Sequence, residues 1–354
     1  HTTSYPSSLG LFYSAVTHHV GLKPMEDEYI LMGMAAYGKP ENWKPLSKKM
    51  GKRFFRMKHP WMSHRTTIQM KENLQKGLPK NSFVGVDEFD MAAAAQNQVE
   101  QRVKAFAQHA KEITGSNNLV YMGGVALNCV ANSQLFDIFK NIFIMPNPGD
   151  CGSSLGAAAL ELYNETGQRI NWKNPYVGHN IEGKYPIKKA LKSLKEGELF
   201  GIANGKAEFG PRALGNRSLC ADPRGPDVKD KMNVIKKRQK FRPFAPMILE
   251  EHVHDYFEMP GGISHAPYMQ FVAKCKKPEE FPAIIHADGT SRVQTVRKEE
   301  HPDLHNLLTK FYKQTGCPML LNTSLNIKGQ PIVNDEKDAE AFAQHYGVKV
   351  HVRD

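Results

Sequence analysis

Apolar positions along the chain alternate between helix-spaced stretches and short continuous runs. Leu9, Phe12, Val16 and Val20 recur every three to four residues and predict a helix that Gly21 ends. Glu28 then precedes Leu31-Met32-Gly33-Met34-Ala35-Ala36-Tyr37-Gly38, whose small residues permit either a tight helix contact or close approach of a ligand. Residues 39–86 are basic, with few periodic apolar positions, and read as an irregular excursion over a cleft. The strongest helical pattern lies at 90–114, where Val99, Val103, Phe106, Ala110 and Ile113 share a face, Asp90 stands as cap and Gly115 as stop.

Two strand–turn–helix units follow. The run 119–122 predicts a buried strand leading into Gly123-Gly124 and a helical stretch through Leu135 and Phe139. The run 142–145 predicts a second strand, leading into Pro148-Gly149-Asp150-Cys151-Gly152 and the small-residue helix from 153. Glycines after a strand let backbone N–H groups approach a phosphate, and a helix N-terminus adds positive partial charge. Asp150 in the second turn reads either as a helix cap or as a holder of a metal or its water. The pair predicts a nucleotide cleft in an α/β domain, with both turns at strand C-terminal ends.

Residues 164–185 are rich in Gly, Asn and Pro and read as a domain boundary. A helix carrying Ile187, Ala190, Leu191 and Leu194 and a strand at 199–203 are predicted beyond it. They lead to Glu208-Phe-Gly-Pro-Arg-Ala-Leu-Gly-Asn-Arg-Ser218, in which glycine and proline forbid a long helix. Arginines on such a stretch (Arg212, Arg217 and, just beyond, Arg224) read either as planar forks for an oxyanion or as partners of nearby carboxylates. A second cationic cluster, 236–246, is stiffened by two prolines and set against Phe241 and Phe244, a grouping costly to hold without an anion. The segments His286–Arg292 and Leu320–Asn326 add polar turns, and a helix over 335–346 and a strand over 348–352 close the pattern.

Composition narrows the chemistry. With 354 residues, 40% of them hydrophobic, the chain can hold two cored domains, and no apolar run reaches membrane-spanning length. The start shows no signal pattern and no initiator Met, which reads as a cut or processed terminus. The five cysteines are scattered without a Cys-x-x-Cys pair, so neither a disulfide framework nor a thiolate zinc site is indicated and a reducing cytoplasm is expected. His18, His19, His59 and His64 show no paired helical spacing and read as surface histidines. A net charge of +11 spread along the chain favours small phosphorylated ligands over a polynucleotide.

The ordered set of motifs resembles the O-carbamoyltransferases of the NodU/CmcH type. The matching stretches are 8–13, 32–38, 123–129, 148–158, 208–218, 241–246, 292–296 and 320–326, and they cover nearly the whole chain. The resemblance implies an α/β fold with two domains, the second of them α+β. A partial nucleotide- and metal-binding domain of the actin/sugar-kinase/Hsp70 type would occupy 1–170, with an insertion near 39–90, and a YrdC-like domain would occupy 180–354. It implies that ATP and carbamoyl phosphate give a carbamoyladenylate. The carbamoyl group would then pass to a hydroxyl of a small molecule or nucleobase at a site holding a divalent metal, Fe or Mg/Mn-like. By position, Arg212, Lys236, Arg292, Asn322 and Ser324 would handle carbamoyl phosphate. Gly123, Gly124, Asn128, Asp150 and Gly152 would hold nucleotide, Asp150 would also ligate the metal, and Glu28 would reach the ribose.

The sequence departs from the family at its start, where relatives carry a further strand-rich portion with a metal-binding histidine pair that His18-His19 does not match. Three expectations follow: a fragment, a second chain supplying that portion, or impaired metal-dependent transfer. Two other readings stay open: a threonylcarbamoyl-adenylate enzyme of tRNA modification, and a truncated non-catalytic module binding nucleotide or nucleic acid. The motif at 208–218 weighs against the first.

Overall fold

A computed structural model describes residues 5–55, 70–79, 81–237, 239 and 241–354. His59, His64, Arg238 and Lys240 lie outside the described residues. The chain is mixed α/β and divides into two compact units, residues 1–143 with 286–288, and residues 144–285 with 289–354. The units part between Phe143 and Ile144, ahead of the boundary expected near 164–185. Within the second unit, a Cβ on Gly210 would meet the Pro146 carbonyl at 2.6 Å, so the segment after Ile144 lies against the 208–218 stretch.

In the first unit, α1 (Leu9–His19) starts where Ser8 Oγ accepts the Leu11 N–H at 3.2 Å, and it buries Leu9, Phe12 and Val16 as the spacing predicts. α2 (Glu28–Met34) runs into a single tight turn at Ala35–Tyr37. At Gly38 the small-residue run serves a helix contact, since a Cβ there would sit 2.5 Å from Ala93 Cβ and 2.8 Å from the Phe89 carbonyl. The stretch expected to be irregular contains α3 (Pro40–Phe54), with Pro at its first position and Leu46, Met50 and Phe54 buried. Lysines between those positions and Pro45 hid the period. α3 packs on α4 (Glu88–Thr114), the unit's longest helix, and Phe12 meets Phe55 at 5.1 Å beneath them.

α4 corrects the expected cap. Asp87 accepts the N–H groups of Phe89 and Asp90, while Asp90 reaches across to Lys39 N at 2.6 Å and Asn42 Nδ2 at 2.7 Å, capping α3 instead. Gly115 ends α4 in the left-handed region at φ 63°, as expected. Of its anticipated apolar face, Val99 and Val103 are buried, whereas Phe106 and Ile113 are exposed.

β1 (Asn118–Val120) pairs in parallel with β2 (Asn141–Phe143), α5 (Cys129–Ser133) lying between them in sequence. Burial corrects the reading of β1 as an interior strand: Val120 is 69% exposed, and on its partner β2 Phe143 is 46% exposed. The helical stretch after Gly123-Gly124 is broken into tight turns at Gly124–Leu127 and Gln134–Asp137 around α5.

The second unit opens with α6 (Ser153–Thr166), none of whose residues is buried. β3 (Tyr176–Ile181), α7 (Ile187–Lys195), β4 (Phe200–Ala203) and β5 (Gly205–Glu208) follow, with β3 antiparallel to β5. Then come β6 (Arg217–Ala221), α8 (Val228–Lys236), β7 (Ala245–Leu249), α9 (Val253–Tyr256), β8 (Phe257–Glu258), β9 (Val272–Cys275), β10 (Thr290–Arg292) and β11 (Gln294–Val296). α10 (Pro302–Thr315), β12 (Met319–Ser324), α11 (Glu336–Tyr346) and β13 (Val350–His351) complete it.

Six strands form one sheet in the order β11-β7-β12-β6-β4-β13, antiparallel through its four central strands and parallel at both edges. Strands β4, β6 and β7 are buried at every residue, as is β12 from Met319 to Asn322, so the motif residues that enter them stand on a rigid base. Asp335 caps α11 through a reciprocal box with Asp338.

Candidate functional site

The 208–218 stretch joins two strands: Glu208 ends β5 and Arg217 begins β6. Between them the backbone is held by side chains. Glu208 Oε1 accepts N–H groups from Leu214 (2.8 Å), Asn216 (2.8 Å) and Arg217 (3.1 Å). The carbonyls face a second set of partners. Asn322 Nδ2 donates to Ala213 O at 2.9 Å, Tyr176 Oη and Gln294 Nε2 donate to Leu214 O, and Tyr185 Oη donates to Gly215 O at 2.8 Å. Gly215 (φ 124°) is required there, since a Cβ would press on Leu304 at 2.6 Å.

The three arginines have different duties. Arg217 is fully buried and donates to the backbone carbonyls of His179, Asn204, Gly205, Asn216 and Asn334. Burial lowers its pKa, yet that many carbonyls satisfy its fork, so its work is architectural. Arg224 clasps Asp222 at 2.6 Å, donates to Thr315 O and lies over the Phe311 ring. Its bond to Asp222 raises its pKa. Arg212, half-buried, sits beside Ala213, whose carbonyl Asn322 holds.

The second cationic cluster meets the polar turn after β12. Lys236, the last residue of α8, donates from Nζ to Ser324 O at 2.7 Å, to Asn326 O at 3.2 Å and to Asn326 Oδ1 at 2.5 Å, with Ser324 Oγ at 3.4 Å. Asn322 also donates to Gln294 Oε1 at 2.8 Å, and Gln294 is two residues beyond Arg292. Among the described residues, two buried polar atoms of the group have no hydrogen-bond partner, Asn322 Oδ1 and Arg292 Nε. Arg212, Lys236, Arg292, Asn322 and Ser324 all belong to the second unit; direct bonds join Lys236 to Ser324, and Asn322 to the backbone next to Arg212. The arrangement is cationic and donor-rich on a buried sheet, which suits a compact oxyanion.

The residues expected at nucleotide fall in both units, Glu28, Gly123, Gly124 and Asn128 in the first, Asp150 and Gly152 in the second. Gly123 has φ 101°, and neither it nor Gly124 has a neighbour within 4 Å of a Cβ position, so this turn is open to an approaching group. Asn128 is buried; its amide exchanges hydrogen bonds with Gln96 and its Oδ1 caps α5 at Ala131 N. Glu28 Oε1 accepts from Ser14 Oγ at 2.5 Å and Met25 N at 2.6 Å. Gly152 permits a turn in which a Cβ would lie 1.9 Å from the Asn147 carbonyl. Asp150 is exposed, and among the described residues no group of three or more His, Cys, Asp or Glu could hold a metal ion. The described residues do not by themselves build the implied metal site.

Sequence reasoning passed over Glu208, Tyr176, Tyr185, Gln294 and His301. Glu208 and Gln294 lie inside motifs that were recognised, but only their contacts across the fold reveal what they hold. His301 Nδ1 accepts Leu304 N–H at 3.1 Å and its Nε2 faces Asn216 Oδ1 at 2.8 Å, so the imidazole is the neutral Nε2–H tautomer. Burial takes its pKa down to about 4.

Two family models match the chain. One described as the carbamoyltransferase N-terminus covers residues 1–159, and one described as the carbamoyltransferase C-terminus covers residues 191–353. The nodulation protein NolO of Bradyrhizobium diazoefficiens is 35% identical over 95% of this chain and 66% of its own length. The nodulation protein NolNO of Sinorhizobium fredii is 35% identical over 94% of this chain and 52% of its own. A 3'-hydroxymethylcephem-O-carbamoyltransferase of Amycolatopsis lactamdurans is 33% identical over 79% of this chain and 57% of its own. The chain thus spans between half and two thirds of these relatives.

Proposed function

Because the chain belongs to the carbamoyltransferase family, we propose that it contributes to ATP-dependent transfer of a carbamoyl group from carbamoyl phosphate to a hydroxyl, by way of a carbamoyladenylate. Its first half is then a partial actin/sugar-kinase/Hsp70-like domain and its second half a YrdC-like domain. The observation that carries the reading is the oxyanion-suited group on the six-stranded sheet. Lys236 is tied to the Ser324–Asn326 turn, Asn322 to the Arg212 loop, and buried atoms of Asn322 and Arg292 are left without partners. Carbamoyl phosphate is a compact dianion, and fixed Arg and Lys neutralise it. The balance consumes one water: carbamoyl phosphate is hydrolysed to carbamate and inorganic phosphate, and a carbamate oxygen then displaces pyrophosphate from the α-phosphorus of ATP to give the carbamoyladenylate.

The nucleotide lies, in this reading, at the Gly123-Gly124 and Asp150–Gly152 turns, with Glu28 toward the ribose. Asp150 supplies one ligand to a divalent metal, Fe or Mg/Mn-like, whose remaining ligands come from outside the described residues. Relatives named for nodulation and for cephem carbamoylation point to a hydroxyl acceptor on a small molecule. A second polypeptide completing the first domain is part of the proposal. Its support is the apolar side chains exposed on β1 and β2 of the first unit, Val120 and Phe143.

The test is to incubate the protein with ATP and carbamoyl phosphate and follow carbamoyladenylate, phosphate and pyrophosphate by mass spectrometry. Arg212→Ala and Arg292→Ala each remove a charged anchor worth roughly 2–4 kcal/mol, a fall of about 30- to 1000-fold. Undiminished product from both variants would sink the site assignment.

A further inference from the structure

The loop that carries Arg212 has a construction problem. Gly210 (φ 136°) and Gly215 (φ 124°) both occupy the region that favours glycine, so the free segment has many conformations to lose. If the ligand had to order it, that entropy would be subtracted from affinity. Backbone bonds hold only the two ends of the loop, Phe209 N donating to Pro175 O at 2.7 Å and Asn204 N to Asn216 O at 3.1 Å. Between them, after β5 ends at Glu208 and before β6 begins at Arg217, no strand pairing orders the described backbone.

Backbone accounting shows what orders it instead. Each of the carbonyls of Ala213, Leu214 and Gly215 has its own side-chain donor, from Asn322, from Tyr176 with Gln294, and from Tyr185. The Gly215 N–H goes to Ser218 Oγ at 2.9 Å. The N–H groups of Leu214, Asn216 and Arg217 all converge on one atom, Glu208 Oε1. The carbonyl partners can be lost one at a time, but loss of Glu208 orphans three donors together. Glu208 is itself fixed, since it is paired opposite Tyr176 in the β3–β5 ribbon.

We propose that Glu208 is a positioning residue for the anion site: its carboxylate holds the 209–217 segment in the conformation that offers Arg212 to the ligand. Glu208 acts through the backbone of the loop. Burial raises the pKa of Glu208, and the three donors oppose that shift without cancelling it; among the described residues Glu208 Oε2 has no hydrogen-bond partner, so Oε1 carries all three bonds. The inference rests on the carbamoyl phosphate reading given above.

The experiment compares Glu208→Ala, Glu208→Asp and Glu208→Gln with Arg212→Ala. Calorimetry gives the Kd for carbamoyl phosphate and, separately, for ATP, and hydrogen exchange follows the backbone of 209–217 in the unliganded protein. Glu208→Ala is expected to weaken carbamoyl phosphate on the order of 10- to 100-fold, the scale of a misplaced anchor. ATP affinity stays within about twofold and exchange at Leu214, Asn216 and Arg217 accelerates. Glu208→Gln keeps an acceptor oxygen in place and recovers most of the affinity, a rescue that a general loss of stability would not give. If the Ala variant does not fold, Glu208→Asp, too short to reach all three donors, is expected to show the same split.

A folded Ala or Asp variant with unchanged carbamoyl phosphate affinity, beside an Arg212→Ala variant that has lost it, overturns the role of Glu208. So does a Gln variant as impaired as the Ala variant, since the acceptor would then not be the working feature. If Arg212→Ala also binds as the parent does, the carbamoyl phosphate reading itself fails and the role of Glu208 falls with it.

Discussion

At the scale of single residues, His301 links the site to pH. It is buried between the rings of Tyr176 (4.8 Å) and Tyr185 (5.4 Å), and it holds Asn216 of the 208–218 stretch. Burial lowers its pKa from 6.5 to about 4. Above pH 6.5 folded and unfolded chains are both neutral here, and no stability is at stake. Below it the unfolded chain takes up a proton that the folded chain refuses until about pH 4, so stability falls across that window. The loss reaches about 3 kcal/mol at the lower end. Urea unfolding at pH 7 and pH 4.5 measures it, and His301→Asn, which retains a capping oxygen, should show a correspondingly flatter dependence. An equal fall in both proteins would remove His301 from the account. Residues proposed to bind announced themselves in the sequence, Lys236 by its charge and Asn322 by its place in the polar Leu320–Asn326 turn. Glu208 and His301 did not, because an internal acceptor and a surface side chain read alike until residue 208 is seen to face residues 214–217.

At the scale of elements, periodicity located α1, α4 and α11 because their apolar positions return every three to four residues. It missed α3, where lysines and Pro45 interrupt the face, and it mistook which carboxylate starts α4. Distant caps are the least legible feature: the first turn of α7 takes its acceptor from Asp354, which receives Lys188 N at 2.9 Å. No local pattern encodes a partner 166 residues away. The cap reassignment makes a quantitative prediction. Asp87 is exposed and holds only the N-terminus of α4, so Asp87→Ala should cost about 1 kcal/mol. Asp90 is buried and binds α3 to α4 through Lys39 and Asn42, so Asp90→Ala should cost about 2–3 kcal/mol. Denaturant unfolding of the two variants decides it, and equal costs would mean that the bridge from Asp90 to α3 contributes little.

At the scale of the molecule, the two units are unequally finished. In the second, the four central strands of the six-stranded sheet are buried almost throughout, and every residue proposed for carbamoyl phosphate resides there. The first exposes Val120 and Phe143 on a sheet of two strands among the described residues, with Met122 exposed just beyond β1, the kind of apolar surface that folded proteins usually pair or cover. The turn at Gly123-Gly124 opens directly from that sheet. The order of the motifs was readable from the sequence, but this contrast was not, because burial depends on what stands opposite a strand and not on the strand's own apolar run. The contrast predicts a division of labour. The 354-residue chain alone should bind carbamoyl phosphate, and that affinity should drop by about 30- to 1000-fold in Arg292→Ala. Transfer of a labelled carbamoyl group to a panel of sugar and hydroxymethyl acceptors should stay near background, even with added Fe or Mg. A polypeptide that pairs with β1 or β2 and shields Val120 and Phe143 should raise transfer without changing the carbamoyl phosphate Kd. Efficient metal-dependent transfer by the chain alone would refute this division and place the whole reaction within these 354 residues.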